Sequence, residues 1–429
     1  MSLLVRIYHK YKNRDFIFTI PLVILALDQI LGYYFWILRS GQGLPQSEDG
    51  QWYIDYASAL LNHFAIGTQM NDLMYLGYNL LLTLLLALFK DPAKIVFIQA
   101  VTAGLSVILV FKITRMLFNR TAAIIASYFY YDAWEVTLWS MYILSDSFFI
   151  SLLLLCIFLL LKVYESNKRI YKILFVVSSL YMVVFRPTGI VMMAFILLYI
   201  VIRTNRQTLL RMLKTYRYVI GGCALAAVAA CIYLFSGNAL DPLISSLQFN
   251  AKKVLYNIYA KGWIYDKATP HDHYFKPNYD INIFNSLILS FLINNWDHIS
   301  IIYGKRVIAF LGRWVWETNV TSLHGIKVLA EHLLPTLLFL TGTVMAIVNG
   351  KFRKSSIIWL SALAIFIFCI VLFIDAMYRY RAPAIPFIAI AAGYGAERIL
   401  YGVFVIAKKY AGKLSRYGTR KSVNSDSGF

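Results

Sequence analysis

The sequence predicts an all-α, polytopic membrane protein. Three observations carry this: the composition, a series of apolar runs of spanning length, and the gathering of basic residues into alternate loops. Of 429 residues, 60% are hydrophobic and 14% charged, with a mean hydropathy of +0.64; soluble domains carry about 25% charged residues. A spanning helix needs about 20 apolar residues. Candidate runs lie near residues 16–38, 95–111, 121–138, 147–163, 170–186, 188–202, 218–236, 333–348, 357–375 and 383–402, a bundle of about ten transmembrane helices.

The first run reads as a retained anchor rather than a cleaved leader, since it has the length of a span and no small-residue cleavage site follows it. Sidedness comes from charge. With the N-terminus cytoplasmic, residues 1–15, 112–120, 162–172, 203–217, 349–356 and 398–429 face inward and hold 26 of the 41 Lys and Arg. Their acidic residues are Asp15, Glu165, Asp426 and, at the last boundary, Glu397. This positive-inside bias puts both termini in the cytoplasm, with a bacterial plasma membrane as the expected location. Leu73–Phe89 is apolar enough to span, but spanning would flip everything after it and move the later basic clusters outside. It is therefore expected to be a re-entrant or membrane-apposed helix. Residues 281–296 and 300–316 are expected to be interfacial helices, because Lys305, Arg306 and Arg313 interrupt the second run.

Four regions result. Residues 1–236 form an N-terminal transmembrane module with a first exoplasmic loop over 39–94. Residues 237–332 form an exoplasmic region with interfacial helices, 333–402 the C-terminal transmembrane helices, and 403–429 a basic cytoplasmic tail. The net charge of +20 would point to nucleic acid in a soluble chain. Here it sits on cytoplasmic loops, as topology signal and contact for anionic membrane lipids, and no nucleic-acid partner is expected. The sequence has no nucleotide-binding glycine loop, no soluble catalytic domain and no transporter-type internal repeat. Cys156, Cys223, Cys231 and Cys369 all lie in apolar runs and read as packing residues, not as a disulfide framework or a zinc cluster.

Directly after the first span, the stretch SEDGQWYIDYASALL (47–61) keeps Glu48, Asp49 and Asp55 at the lipid boundary. It resembles the first exoplasmic loop of the C-type (GT-C) integral-membrane glycosyltransferases, in the branch of protein O-mannosyltransferases and aminoarabinose transferases that use polyprenyl-phosphate sugars. In that branch an acidic residue is followed at four-residue steps by an aromatic and a small residue, a spacing matched here by Asp49, Tyr53 and Ala57. Some members show an Asp-Glu order, so Glu48 keeps the choice between the two acids open. The run 73–89, with Tyr75 and Tyr78, is similar to the juxtamembrane helix that closes the same loop. FKITRMLFNRTAAIIA (111–126) resembles the family's basic turn, and YILSDSFFISLLLL (142–155) its following span opened by an acidic residue, here Asp146. RPTG (186–189) and the Arg-Tyr-Arg and proline pattern in MYRYRAPAIPF (377–387) complete the resemblance. It covers most of 16–202 and 357–402 and is weak over 237–332.

The resemblance implies a GT-C-like bundle with exoplasmic juxtamembrane helices, and sugar transfer from a lipid phosphate. Such transfer needs a base to take the acceptor's proton and cations to hold the departing phosphate. Asp49, with Glu48 as its neighbour, is the candidate base, and Asp146 a further catalytic candidate whose plainer role is an ordinary helix start. Arg379 and Arg381 are candidates for the donor phosphate, against a role as interfacial anchors snorkelling to headgroups. For Arg186, also a phosphate candidate, the anchor is the stronger reading. Tyr53, Tyr78, Asp132 and Glu135 are candidate substrate-binding residues; the last two share a face if "YYDAWEVTLW" is one helix, and a hydrogen-bonded pair in an aromatic belt is the alternative. Asp28, inside the first span, is expected to be bonded to a neighbour.

No cofactor is required by these residues. A divalent ion between Asp49 and Asp146 is left open because some relatives use one and others do not. His271, Asp272 and His273 have no well-spaced third ligand and make a weak metal site. The aromatic content, 16%, suits both interfacial belts and the apolar faces of a sugar.

The expected function is thus a hexosyl- or pentosyltransferase of the cell envelope. It would move a sugar from an undecaprenyl- or dolichyl-phosphate donor to a glycan, lipid or protein acceptor on the exoplasmic face, with inversion. Two alternatives compete. A flippase or transporter of lipid-linked saccharide predicts polar groups near the midplane. An oligosaccharide polymerase or ligase with diphosphate-linked donors predicts arginines concentrated in one large exoplasmic loop, whereas 237–332 has only Arg306 and Arg313.

Overall fold

A computed structural model describes residues 14–41, 43–67, 70–166, 168–215, scattered positions between 217 and 232, 278–312, 320–372 and 377–425. All regular structure among them is helical. Helix α1 (Phe16–Arg39) is followed by α2 (Glu48–His63), whose start is set by Ser47: its Oγ accepts from Gly50 N at 3.0 Å, and Glu48 and Asp49 fill the first turn. A side-chain cap and early carboxylates both satisfy a helix N-terminus. After α3 (Met70–Met74) and α4 (Leu76–Phe89), Asp91 and Pro92 open α5 (Pro92–Leu105), which continues after a break at Ser106 as α6 (Val107–Leu117). Asn119 caps α7 (Arg120–Tyr131), followed by the short α8 (Trp134–Trp139).

The next helices are α9 (Ser145–Ser166), α10 (Arg169–Phe185), α11 (Pro187–Arg203) and α12 (Arg206–Thr215). Later come α13 (Leu287–Asn294), α14 (Trp296–Leu311) and α15 (Leu323–Val348). Helix α16 (Phe352–Phe366) runs into a π-helical turn (Ile367–Leu372), then α17 (Met377–Arg381), a 3₁₀ turn (Ala382–Ala384) and α18 (Ile385–Ser425).

Among the described residues, six stretches are long and apolar enough to cross a bilayer: Phe16–Arg39, Pro92–Leu117, Ser145–Ser166, Leu323–Val348, Phe352–Cys369 and Arg379–Tyr410. The chain is an integral, multi-pass membrane protein. Helices α10 and α11, 17 residues each, run between the same two ends of the bundle. The expected span at 218–236 lies mostly outside the described residues. Helix α4 has 14 residues, about 21 Å at 1.5 Å per residue against a hydrocarbon core of about 30 Å. Both its ends lie near one end of the bundle: Tyr78 packs beside Tyr53, and beyond Phe89 the Ala93 carbonyl accepts from Tyr34 Oη at 2.9 Å. Helices α13 and α14 are likewise shorter than the six stretches, at 8 and 16 residues. Helix α18 does not stop at residue 402 as expected; the basic tail continues it.

The basic turns collect at one end. Arg115 and Arg120 both pair with Asp15, at 3.2 and 3.1 Å. Lys354 Nζ donates to Met116 O at 2.8 Å, and Tyr199 Oη to Lys354 O at 3.0 Å. Tyr164 Oη lies 3.0 Å from Thr204 Oγ1, and Arg353 Nε donates to Ile202 O at 3.0 Å, so the described parts of five of the six basic segments meet on one side.

Small residues make the tightest packing. Helix α18 lies against α15 and α7 through Gly342, Ala346, Ala122, Ala126, Ala391 and Gly395, all buried. A Cβ at Gly395 would run into the Leu338 carbonyl, and one at Gly342 into the Ala391 carbonyl. Lipid tails give apolar helices no reason to leave them, so close backbone approach is what holds such pairs together. A Gly395→Val substitution is expected to cost about 1–3 kcal/mol, typical of overpacking, and to lower the unfolding temperature in detergent. Wild-type stability would show that α15 and α18 are not in this contact.

Candidate active site

The end opposite the basic turns holds a chain of four charges. Asp146, in the first turn of α9, is paired through Oδ1 with Arg186 Nη1 and through Oδ2 with Arg379 Nε at 2.9 Å. Arg379 Nη1 in turn holds Asp49 Oδ2. Exposure grades along the series Arg186, Asp146, Arg379, Asp49: the side chains are 1%, 0%, 13% and 54% exposed. The array is thus anchored in the core and opens outward at Asp49.

Local sequence explains each position. Arg186 precedes Pro187, and the ring of a proline forces the residue before it into extended backbone. Its φ of −163° and ψ of 146° break α10 from α11 there, turning the guanidinium into the bundle. Asp146 sits where a helix N-terminus favours a carboxylate. Arg379 lies on the five-residue α17, between the π turn and the 3₁₀ turn at Pro383, so no long helix dictates its direction. π-Helical turns often mark functional sites. Arg379 Nη2 and Asp49 Oδ1 have no partner among the described residues.

Aromatic rings pack around these charges. The rings of Phe149 and Tyr380 lie 5.8 and 5.4 Å from the Arg186 guanidinium carbon, and Tyr380 lies 5.7 Å from that of Arg379. Such contacts stabilise a desolvated cation. Tyr53 and Tyr78 meet edge to face at 4.8 Å, and Tyr78 continues to Phe185 at 5.7 Å. Burial raises the Tyr53 phenol well above its ordinary value near 10, so it stays protonated. The buried Tyr78 hydroxyl and the Thr188 hydroxyl have no partner among the described residues.

The structure brings together Asp49, Asp146, Arg379, Arg186, Tyr53 and Tyr78. Glu48, one residue before Asp49, is exposed and makes no ion pair among the described residues. Arg186 is not an interfacial anchor: at 1% exposure it cannot reach headgroups. Arg381 stands apart from Asp49 and Asp146. Its Nη1 pairs with Glu135, while Nε and Nη2 donate to Phe310 O (2.6 Å) and Gly312 O (2.8 Å), carbonyls at the C-terminal end of α14. Arg381 thus ties α14 to the core. Asp132 and Glu135 do not share a helical face, because α7 ends at Tyr131 with Asp132 as its cap and α8 starts after Ala133. Both instead line a cavity of about 670 Å³ whose wall is largely apolar, including Leu334, Pro335, Leu338 and Ile388. Asp28 is exposed and has no partner among the described residues, contrary to the expected neighbour bond. His271, Asp272 and His273 lie outside the described residues.

Gln99 was not singled out from the sequence, yet it is 1% exposed and donates through Nε2 to Ser140 O (3.0 Å) and Tyr142 O (2.6 Å). It holds the turn that delivers Asp146. The signal was available, as an uncharged polar side chain inside an apolar span rarely lacks a task.

Between Asp49 and Asp146, where the sequence leaves a divalent ion open, stands the Arg379 guanidinium, paired with both carboxylates. Among the described residues no three His, Cys, Asp or Glu side chains gather as metal ligands.

Residues 76–234 match the family described as dolichyl-phosphate-mannose-protein mannosyltransferase. No curated protein matches the chain. Among solved structures, the chain is similar to the archaeal oligosaccharyltransferase AglB from Archaeoglobus fulgidus in complex with an inhibitory peptide and a dolichol-phosphate. That match has a TM-score of 0.51 at 9% identity and covers 94% of this chain and 52% of that one. An Archaeoglobus fulgidus oligosaccharyltransferase in the apo form gives a TM-score of 0.49 at 13% identity, with the same coverage. The chain spans about half the length of these structures.

Proposed function

We propose that this chain, which has the fold of the C-type membrane glycosyltransferases, moves one hexosyl or pentosyl group from a polyprenyl-phosphate donor to an acceptor hydroxyl at the exoplasmic face. The observation that carries this reading is Arg379, a single guanidinium joining an outward-facing carboxylate to a buried one. In the proposed step, Asp49 Oδ1 takes the proton of the acceptor hydroxyl as its oxygen bonds to the anomeric carbon. The bond from that carbon to the phosphate oxygen breaks, and polyprenyl phosphate leaves with the electron pair. A single displacement inverts the anomeric centre.

Arg379 has two tasks in this scheme. Its Nη1 orients Asp49, and its Nη2 is left to hydrogen-bond the phosphate as charge builds on it, the kind of preorganised stabilisation that contributes most to such reactions. Asp146 and Arg186 act through Arg379: fixed in the core, they keep the guanidinium from turning. The apolar wall of the larger cavity suits an isoprenoid chain. The acceptor is a glycan, lipid or protein hydroxyl, and the basic end of the bundle faces the cytoplasm. A transporter would need its ionisable groups near the midplane, whereas these gather at one end.

Reconstitution in liposomes with labelled donors tests the reading. Polyprenyl-monophosphate sugars are expected to give transferred product and diphosphate-linked saccharides none. Product from diphosphate donors alone, or saccharide crossing the bilayer without transfer, would overturn it.

A further inference from the structure

The opposite end of the bundle, where the basic turns collect, holds a second cavity of about 200 Å³ between α6, α9, α11 and α16. Nothing in the transfer reaction uses it. Helix α9 carries Asp146 in its first turn and Tyr164 and Glu165, which line this cavity, in its last. That separation is about 28 Å at 1.5 Å per residue. Helix α11 likewise starts beside Arg186 and ends on Arg203 at the cavity wall. We propose that this cavity binds the phosphodiester headgroup of an anionic phospholipid.

The charges there do not cancel. Glu165 is occupied by Lys162 Nζ at 2.5 Å. Arg203 makes no ion pair or hydrogen bond among the described residues; its guanidinium rests over the Tyr164 ring at 5.7 Å. Lys354 Nζ donates to a carbonyl at the end of α6, at 2.8 Å, and an ammonium has further protons to give. Lys351 and Arg353 precede it in sequence, and Arg353 Nε is fixed on Ile202 O at 3.0 Å.

The site is built rather than a scatter of surface lysines. Tyr199, fully buried, donates to the Lys354 carbonyl at 3.0 Å, and Tyr164 bonds Thr204 Oγ1 at 3.0 Å. An unpaired guanidinium beside an ammonium matches a phosphate group, which arginine can hold through two donors. Basic pockets between transmembrane helices are where anionic headgroups bind. A bound headgroup joins the far ends of the helix that carries Asp146 and the helix that follows Arg186.

The full-length protein is placed in nanodiscs of phosphatidylcholine, of phosphatidylcholine with phosphatidylglycerol, or of phosphatidylcholine with inorganic phosphate in the buffer. Lipid retention is read by native mass spectrometry and stability by thermal unfolding. Phosphatidylglycerol is expected to be retained and to raise the unfolding temperature. Retention falls about fivefold for Arg203→Gln and about 25-fold for Arg203→Gln with Lys354→Gln, the loss expected per basic residue at an anionic surface. Arg203→Gln removes no hydrogen bond among the described residues, so it is expected to fold even if the double variant does not. Arg169→Gln with Lys172→Gln, exposed cations at the same end, leaves retention unchanged. Equal stability in neutral and anionic discs, or full retention in Arg203→Gln, overturns the site. The whole effect from inorganic phosphate in neutral discs overturns the lipid as its occupant. Transfer activity enters none of these readouts, so the result stands apart from the fate of the proposed reaction.

Discussion

On the proposed reaction, an Asp49→Asn variant is expected to fold like the wild type and to lose sugar transfer by about 10²- to 10⁴-fold, the range of a removed general base. Asparagine keeps the shape of the side chain and an oxygen for Arg379 Nη1, so the pairing that orients position 49 survives. What goes is the capacity to take a proton. The side chain is 54% exposed, and no core contact depends on its charge. Glu48→Gln, one residue away but without an ion pair, is the control and should stay within a few-fold of wild type. Initial rates in proteoliposomes, with unfolding temperatures measured alongside, check both. If Asp49→Asn remains active while Glu48→Gln does not, the base is Glu48.

Arg186→Leu is expected to have the largest effect on stability, a loss of about 3 kcal/mol, the low end for a broken buried pair, because a buried carboxylate loses one of its two guanidinium partners. Asp146 is fully buried, and without Arg186 it keeps only Arg379. Adding Asp146→Asn removes the buried charge that has lost half of its pairing, so the double variant should be more stable than the sum of the two single changes predicts. Such non-additivity is the signature of residues in direct contact. Thermal unfolding in detergent measures all three variants. A small loss for Arg186→Leu, or simple additivity, would mean that the buried pair does not exist.

Much of this architecture was legible because bilayer physics writes it plainly into a sequence. Helices must satisfy their own backbone in lipid, and basic residues mark one side. That bias also argues against a span at residues 73–89, which hydropathy alone would make one. Asp49, Asp146 and Arg379 could be proposed from their places at the boundaries of spans, but their contacts could not, since residues 49 and 379 lie 330 positions apart. Arg186 is both a phosphate candidate and, more strongly, a lipid anchor on sequence alone, because nothing in the string RPTG says which way the break before Pro187 faces. Arg381, spaced two residues from Arg379 in a pattern that looks like a matched pair, in fact caps the end of α14. Only the irregular backbone of 377–384 sends the two side chains to different tasks. The helical break between Asp132 and Glu135 was hidden as well, since neither glycine nor proline marks it.

The central claim is that Asp49 and Arg379 work as one unit, and a double-mutant cycle on the transfer rate tests it most directly. Asp49→Asn, Arg379→Gln and the combination are compared with wild type in the same proteoliposomes. Groups that act together lose most of their effect at the first removal, so the double variant should be about as slow as the slower single one. Losses that multiply would show two residues working independently and would contradict the shared centre.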